Sequence, residues 1–205
     1  MASAPGPYAE PPPDLARRRL PLTVLRETSL FRGHKHRYRP LHFNRTVGRF
    51  APPDGQAFGT LYLGEDEFGA FIEAFNQGVG STPLGLFISA TLLRQSCLCM
   101  VQVMRPLPLV DLTAGAALKR LSADADSRIG DGPHVVSQRW AAALWAHPDQ
   151  PDGLIYLARH APDHRSIALF DRAAEALVAN CASNLLLDPR RLGRILDHFG
   201  CAVIP

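Results

Sequence analysis

The run Cys97-Leu98-Cys99-Met100-Val101-Gln102-Val103-Met104 constrains this chain more than any other segment. It is almost unbroken in its apolar character, which suits a strand covered on both faces. Such a strand needs layers on either side, and the rest of the sequence supplies them in short pieces. Leu30–His34, Thr60–Gly64, Leu107–Leu112, Leu154–Ala158 and Ser166–Phe170 read as further strands, with Cys201–Ile204 as a closing one. Phe68, Phe71, Ile72 and Phe75 recur at helical spacing, predicting a helix over Glu67–Asn76 that Gln77-Gly78 closes. Leu86–Gln95, Ala114–Leu121, Ser137–Ala146 and Arg191–Phe199 also read as helices, with Ser137 as an N-cap. Strands and helices mix without the regular alternation of a doubly wound sheet. The fold class expected is α+β, compact mixed sheets with flanking helices.

A chain of 205 residues, 46% hydrophobic and 20% charged, fits one domain whose core needs neither disulfide nor structural metal. Cys97 and Cys99 share one face of their strand and read as small hydrophobes; with no CxxC pair and no secretory signal, a reducing cytoplasm is the expected compartment. No stretch approaches the ~20 apolar residues of a membrane span. Residues 1–21, rich in proline and ending in Arg17-Arg18-Arg19, predict a disordered tail, leaving 22–205 as the domain. The net charge is only +3, which makes nucleic acid an unexpected partner, but its distribution is uneven. Between Arg17 and Arg49 there is no aspartate and a single glutamate, Glu27. Much of this positive field falls in residues 35–58, a long loop of the kind that usually serves function.

Several chemistries lack their motifs: there is no GxGxxG after a strand, no GxxxxGK[ST], no GxSxG and no HExxH. Gly78-Val79-Gly80-Ser81 is rich in glycine but has no lysine after it, a weak phosphate loop. His34, His36 and His42 crowd one segment, and His160 and His164 another. Their neighbours are arginines, which repel a divalent cation, so these imidazoles read as polar cleft groups and no metal is expected. Glu65-Asp66-Glu67 suits a helix start. Glu73 lies about 100° from Ile72 and about 200° from Phe71 and Phe75, and from pattern alone fits a solvated position.

Taken in order, Leu30-Phe31-Arg32, Val47-Gly48-Arg49-Phe50, Gly59-Thr60-Leu61-Tyr62-Leu63-Gly64 and Ala70-Phe71-Ile72-Glu73 resemble the front half of the RES domain. The likeness continues through Pro108–Leu112, Ser137–Ala141, Asp152–Tyr156 and Ala168–Asp171, so it spans about residues 28 to 172. The family is named for an arginine, a glutamate and a serine and includes toxins of Xre–RES toxin–antitoxin systems. The resemblance implies a fold similar to ADP-ribosyltransferases and a cleft that holds NAD as substrate. It implies cleavage of NAD by water or by inorganic phosphate as co-substrate, and an antitoxin protein that covers the cleft. It also implies roles for Arg32, Tyr62 and Glu73 in catalysis, and for Arg32, Arg49, Tyr62 and Arg159 in holding NAD. The family serine, expected two residues after Tyr156, is replaced here by Ala158; Ser166 lies on the next strand and does not inherit its role.

These residue types suit that chemistry. Nicotinamide leaves NAD as a neutral molecule, so no general acid is required. The oxocarbenium-like transition state needs a nearby carboxylate, a role open to Glu73. The pyrophosphate needs planar guanidinium donors, which Arg32 and Arg49 offer, and Tyr62 can stack on the nicotinamide or bond its ribose. The acceptor stays open between water, phosphate and a protein side chain. The readings are thus an NAD glycohydrolase or phosphorylase, an ADP-ribosyltransferase acting on a macromolecule, or a non-catalytic domain that keeps the cleft.

Overall fold

The computed structural model describes residues 10–53, 57–75, 78–82, 85–121, 129, 134–158, 161–181 and 184–205. It is an α+β fold of two sheets with flanking helices. In chain order the strands are β1 (Leu22–Leu25), β2 (Ser29–Lys35), β3 (Thr60–Gly64), β4 (Val79–Thr82), β5 (Gly85–Ser89), β6 (Ser96–Val103), β7 (Leu107–Asp111), β8 (Gly153–Ala158), β9 (Ala161–Phe170), β10 (Leu177–Asn180) and β11 (Cys201–Ile204). The helices are α1 (Glu67–Phe75), α2 (Ala90–Arg94), α3 (Gly115–Leu121), α4 (His134–Trp145) and α5 (Pro189–His198). The large sheet runs β1-β7-β8-β9-β3-β2-β6-β10 and the small one β11-β5-β4. Neighbours are antiparallel except β7–β8 and β11–β5.

The run that dominates the sequence is β6, covered on both faces as its composition requires. Val101 and Val103 enter an apolar cluster with Leu30, Leu61, Leu63, Leu107, Leu109, Ile155, Ile167 and Leu169. Leu98 points the other way, into a cluster with Phe71 and Phe75 of α1, Ile88 of β5 and Ile195 of α5. A third cluster joins β8 and β9 to α4 through Leu154, Phe170, Trp140 and Leu144, closed by Phe50 and Phe58. Burying a leucine-sized side chain contributes on the order of 2 kcal/mol, so the three clusters hold the layers together.

Local chemistry corrects several expectations. Leu86–Gln95 is not one helix: Leu86, Phe87 and Ile88 pair with β4 and β11, and helix begins at Ala90, where the Ser89 hydroxyl accepts from Leu92 N (3.0 Å). Periodicity cannot separate strand from helix over so short an apolar run. Val79–Thr82 is strand β4, so Gly78–Ser81 is no phosphate loop. Ser137 is no N-cap, since α4 starts at His134 and the buried Ser137 hydroxyl donates to Ile129 O (2.5 Å). Strand β9 starts at Ala161, earlier than the Ser166 start that the sequence predicts.

The N-terminal stretch also differs. Residues 10–21 are laid on the domain, because Leu15 and Leu20 are buried against the α4 cluster. The buried His147 accepts from Asp149 N at Nδ1 (3.0 Å), so its Nε2–H donates to Leu15 O (3.1 Å) and Arg18 O (3.0 Å). Arg18 is no loose linker residue: it donates to Leu121 O (3.0 Å) and pairs with Asp14. Two leucines and one imidazole outweigh a proline-rich composition that argues for disorder. The cysteines are a further correction: Cys99, expected as a plain hydrophobe, is disulfide-bonded to Cys181, while Cys97 and Cys201 are free and buried. No helix among the described residues is long and apolar enough to cross a membrane.

Candidate active site

Helix α1 lies directly on the large sheet, and its start is fixed by sequence: Asp66 caps it by accepting from Gly69 N (2.7 Å). The contact is close enough that a Cβ on Gly64 would run into the Ala70 backbone, so glycine is required there. Under the helix, three strands align their side chains in rows. Gly64 of β3 faces Ser166 of β9, which faces Tyr156 of β8; in the next row stand Tyr62, Ala168 and Leu154. Alternation along a strand sends all of these to one face.

Glu73 reaches into this row. Its helix is covered on two flanks, by Phe71 and Phe75 on one side and on the other by Ile72, which packs on Ala158 and Ala161. Glu73, next to Ile72, is therefore half-buried over β8, where the Tyr156 hydroxyl donates to its Oε1 at 2.9 Å. The solvated position that the pattern allowed does not occur, because a single apolar stripe is too simple a description of this helix.

The loop between β2 and β3 supplies the opposite wall. The Phe50 N–H donates to the Tyr62 hydroxyl (2.8 Å), fixing the ring. The chain passes close enough that a Cβ at Gly48 would strike that ring, and Gly48 has φ +136°, a conformation few other residues adopt. This turn delivers Arg49, whose Nη1 is buried with no hydrogen-bond partner among the described residues. A cationic donor left unpaired out of water is costly, and an anionic ligand is the natural remedy.

Arg32 behaves differently. It alternates with Phe31, which packs in the α1 cluster, and its guanidinium bridges the place where β2 and β3 part after their one registered pair, Phe31 with Gly64. It donates to Tyr62 O (2.7 Å), Pro40 O (3.1 Å) and, at the limit, His42 O (3.5 Å). Those bonds tie the basic loop to β3. Burial lowers its pKa to about 10, which the two nearby phenols, Tyr62 and Tyr156, partly oppose, so it remains a cation at neutral pH.

Both phenols are held protonated. Burial drives the Tyr156 pKa well above its usual value, and the charge of Glu73 adds to this; the Ser166 hydroxyl opposite it pulls the other way. Tyr62 is also raised, first by burial; its bond from Phe50 N–H lowers it, Glu73 raises it, and Arg49 and Arg32 lower it. The Tyr62 phenol thus feels the charge of Glu73 and Arg49, while Arg32 meets Tyr62 through its backbone carbonyl from the opposite face of the sheet. Of the residues singled out in the sequence, Glu73, Tyr62 and Arg49 share this side of the sheet, Arg32 backs it from the other face, and Arg159 and His160 lie outside the described residues. Tyr156 and Ser166 are additions. Tyr156 stands in a recognised segment without a role; parity puts it on the face of Leu154, and only the β8–β9–β3 register makes that the face of Tyr62. Ser166 could not be found that way, since its position depends on the β8–β9 register; its hydroxyl is buried without a well-formed hydrogen bond. Ala158, at the expected serine position, is buried beside Ile72.

A half-buried carboxylate beside two protonated phenols, with the unpaired Arg49 guanidinium on the opposite wall, suits a ligand that combines hydroxyl groups with negative charge. Comparison with known proteins agrees with the folded arrangement. The model of the RES domain matches residues 26–190, and the chain belongs to the RES domain family. It is 34% identical over 126 residues to "Probable toxin y4kH" of Sinorhizobium fredii (strain NBRC 101917 / NGR234), covering 61% of this chain and 93% of that protein. Among solved structures it shares its fold with a chain of the M. tuberculosis MbcT–MbcA toxin–antitoxin complex, with a TM-score of 0.57 and 17% identity, covering 78% of this chain and 84% of that one.

Proposed function

We propose that this protein is a toxin that degrades NAD by breaking the bond between nicotinamide and ribose, with water or inorganic phosphate as acceptor. The observation that carries the reading is the Tyr156–Glu73 hydrogen bond, which holds a lone carboxylate over the face that Tyr62 and Arg49 share. The similarity to a protein named as a probable toxin, and to a chain from a toxin–antitoxin complex, supports the biological role and a cognate antitoxin that covers the cleft.

In this reading Glu73 acts on the ribose, gripping a hydroxyl and stabilising positive charge as the C–N bond lengthens. Tyr156 keeps the carboxylate oriented by donating to one of its oxygens. Tyr62 still has its own proton to give, since its oxygen accepts from Phe50 N–H, and its ring offers a stacking surface. Arg49 supplies a guanidinium to the pyrophosphate. Arg32, its donors engaged by three carbonyls, positions the loop against β3 from the other face of the sheet. Arg159 joins the NAD-holding set as the family resemblance implies.

The test is nicotinamide release from NAD by the pure protein, with and without phosphate, beside Glu73→Gln. Release is expected without any added protein, and to fall by about 10²- to 10³-fold in the variant. Stimulation by phosphate assigns the acceptor. Release only when a macromolecular substrate is added makes the protein a transferase, and NAD binding without release makes it a non-catalytic domain. Either result overturns the proposal.

A further inference from the structure

A second constellation lies beyond the cleft, at the β2–β6–β10 edge of the large sheet. His34 stands opposite Cys97 in the β2–β6 register, and Cys99 lies one pleat along on the same face. Cys181 follows β10 directly. The side chain of Asn184 holds this segment against β6, accepting from Leu98 N (3.0 Å) and donating to Ser96 O (2.8 Å). Ligand atoms of His34, Cys97 and Cys181 all lie within 4.8 Å of one another, and Cys99 Sγ, bonded here to Cys181, is 3.9 Å from His34 Nε2. His34 and Cys97 are buried, and Cys181 is half-buried.

We propose that in the reduced chain His34, Cys97, Cys99 and Cys181 form a tetrahedral Cys3His site for a zinc-like divalent cation. Three thiolates and one imidazole are an established donor set for structural zinc, whose ligand atoms stand roughly 3.5–3.8 Å apart. The His34–Cys99 separation already approaches that spacing. The ring is also oriented for ligation: its Nδ1 lies 3.0 Å from Lys35 O, to which an Nδ1–H donates, leaving the Nε2 lone pair turned toward the sulfur atoms. A backbone carbonyl holding the far nitrogen is the usual support of a metal-bound histidine. Arg32 stands opposite Cys99 in the same register, but the partners here are cysteines brought in from β6 and the segment after β10, and three thiolates outweigh one guanidinium in charge. A cation there would staple the sheet edge to β2, the strand that carries Arg32.

The test uses the full chain and needs no NAD, so it succeeds or fails independently of the proposed activity. A water-soluble phosphine opens the disulfide: the phosphorus takes the oxygen of one water and becomes the phosphine oxide, and the two sulfurs leave as thiols. Bound metal then displaces three thiol protons. Reduced protein is expected to retain one zinc per chain through buffer exchange. With cobalt(II) it should show tetrahedral ligand-field bands and charge-transfer intensity from three thiolates. Cys97→Ser and Cys181→Ser should each weaken binding by about 100-fold or more, beyond the loss that supporting residues alone produce, whereas Cys201→Ser should bind as the parent does. Circular dichroism shows whether each variant folds, and the cobalt spectrum of the parent decides the matter if one does not. Reduced parent that leaves metal with a competing chelator, a cobalt spectrum without thiolate bands, or equal binding by Cys97→Ser would each overturn the proposal, leaving Cys99 and Cys181 as a disulfide pair only.

Discussion

The two faces of strands β3, β8 and β9 differ more than the strands themselves do. On one face Leu61, Leu63, Ile155, Ile167 and Leu169 interlock in an apolar cluster. On the other, one residue along each strand, stand Tyr62, Tyr156 and Ser166 with Glu73 above them. The backbone is the same, so the difference lies in what each face is for. An apolar face adds stability with every methylene it hides, while a buried phenol or carboxylate must recover its lost hydration through a partner. A polar row kept under a helix marks the place where stability is given up for a site.

Breaking each face should give opposite results. Leu61→Ala, on the apolar side, should destabilise the fold by about 2–5 kcal/mol in urea unfolding and leave nicotinamide release per folded molecule unchanged. Equal damage to release would mean that the faces are not separable. Tyr156→Phe, on the polar side, removes a hydrogen bond to a charged group, with an expected loss of about 1.5–3 kcal/mol. Its release rate should fall as Glu73 loses its orientation.

Alkali sharpens the same contrast. Tyr62 and Tyr156 have folded pKa values above the ordinary 10.0, so the unfolded chain gives up these protons first. Their contribution is fully present below pH 10 and is lost as the pH rises past it. Urea midpoints measured from about pH 8 to about pH 11 should fall at the alkaline end, with a shallower slope in Tyr156→Phe. The smallest effect belongs to Ser166→Ala. Its hydroxyl makes no well-formed bond, so stability should shift by no more than about 1 kcal/mol in either direction. A larger loss would show that the hydroxyl works with Tyr156 in a way the geometry does not reveal.

Much of this was legible in advance, and the failures have identifiable causes. The β3 run Thr60–Gly64 and the α1 repeat of Phe68, Phe71, Ile72 and Phe75 fall where periodicity puts them. β1, β4 and β10 each have only four residues and no continuous apolar run, too little to establish a period, and the short run Leu86–Ile88 reads equally as helix or strand. Arg32, Arg49, Tyr62 and Glu73 stand out through the family pattern, not through their own local signals. The orientation of Glu73 over β8 follows from helix packing, which its hydrophobic stripe does not encode.

The sequence by itself determined the α+β class, the apolar strand β6 and the family, because these depend on local periodicity and on short motifs kept in order. Tertiary structure alone decided that Tyr156 meets Glu73 and that Ser166 lies opposite Tyr156. It also decided that His34 gathers cysteines from β6 and from the end of β10. These are meetings between residues 10 to 147 positions apart in the chain. They depend on strand register and helix tilt, which the sum of many weak packing contacts sets and no short segment specifies.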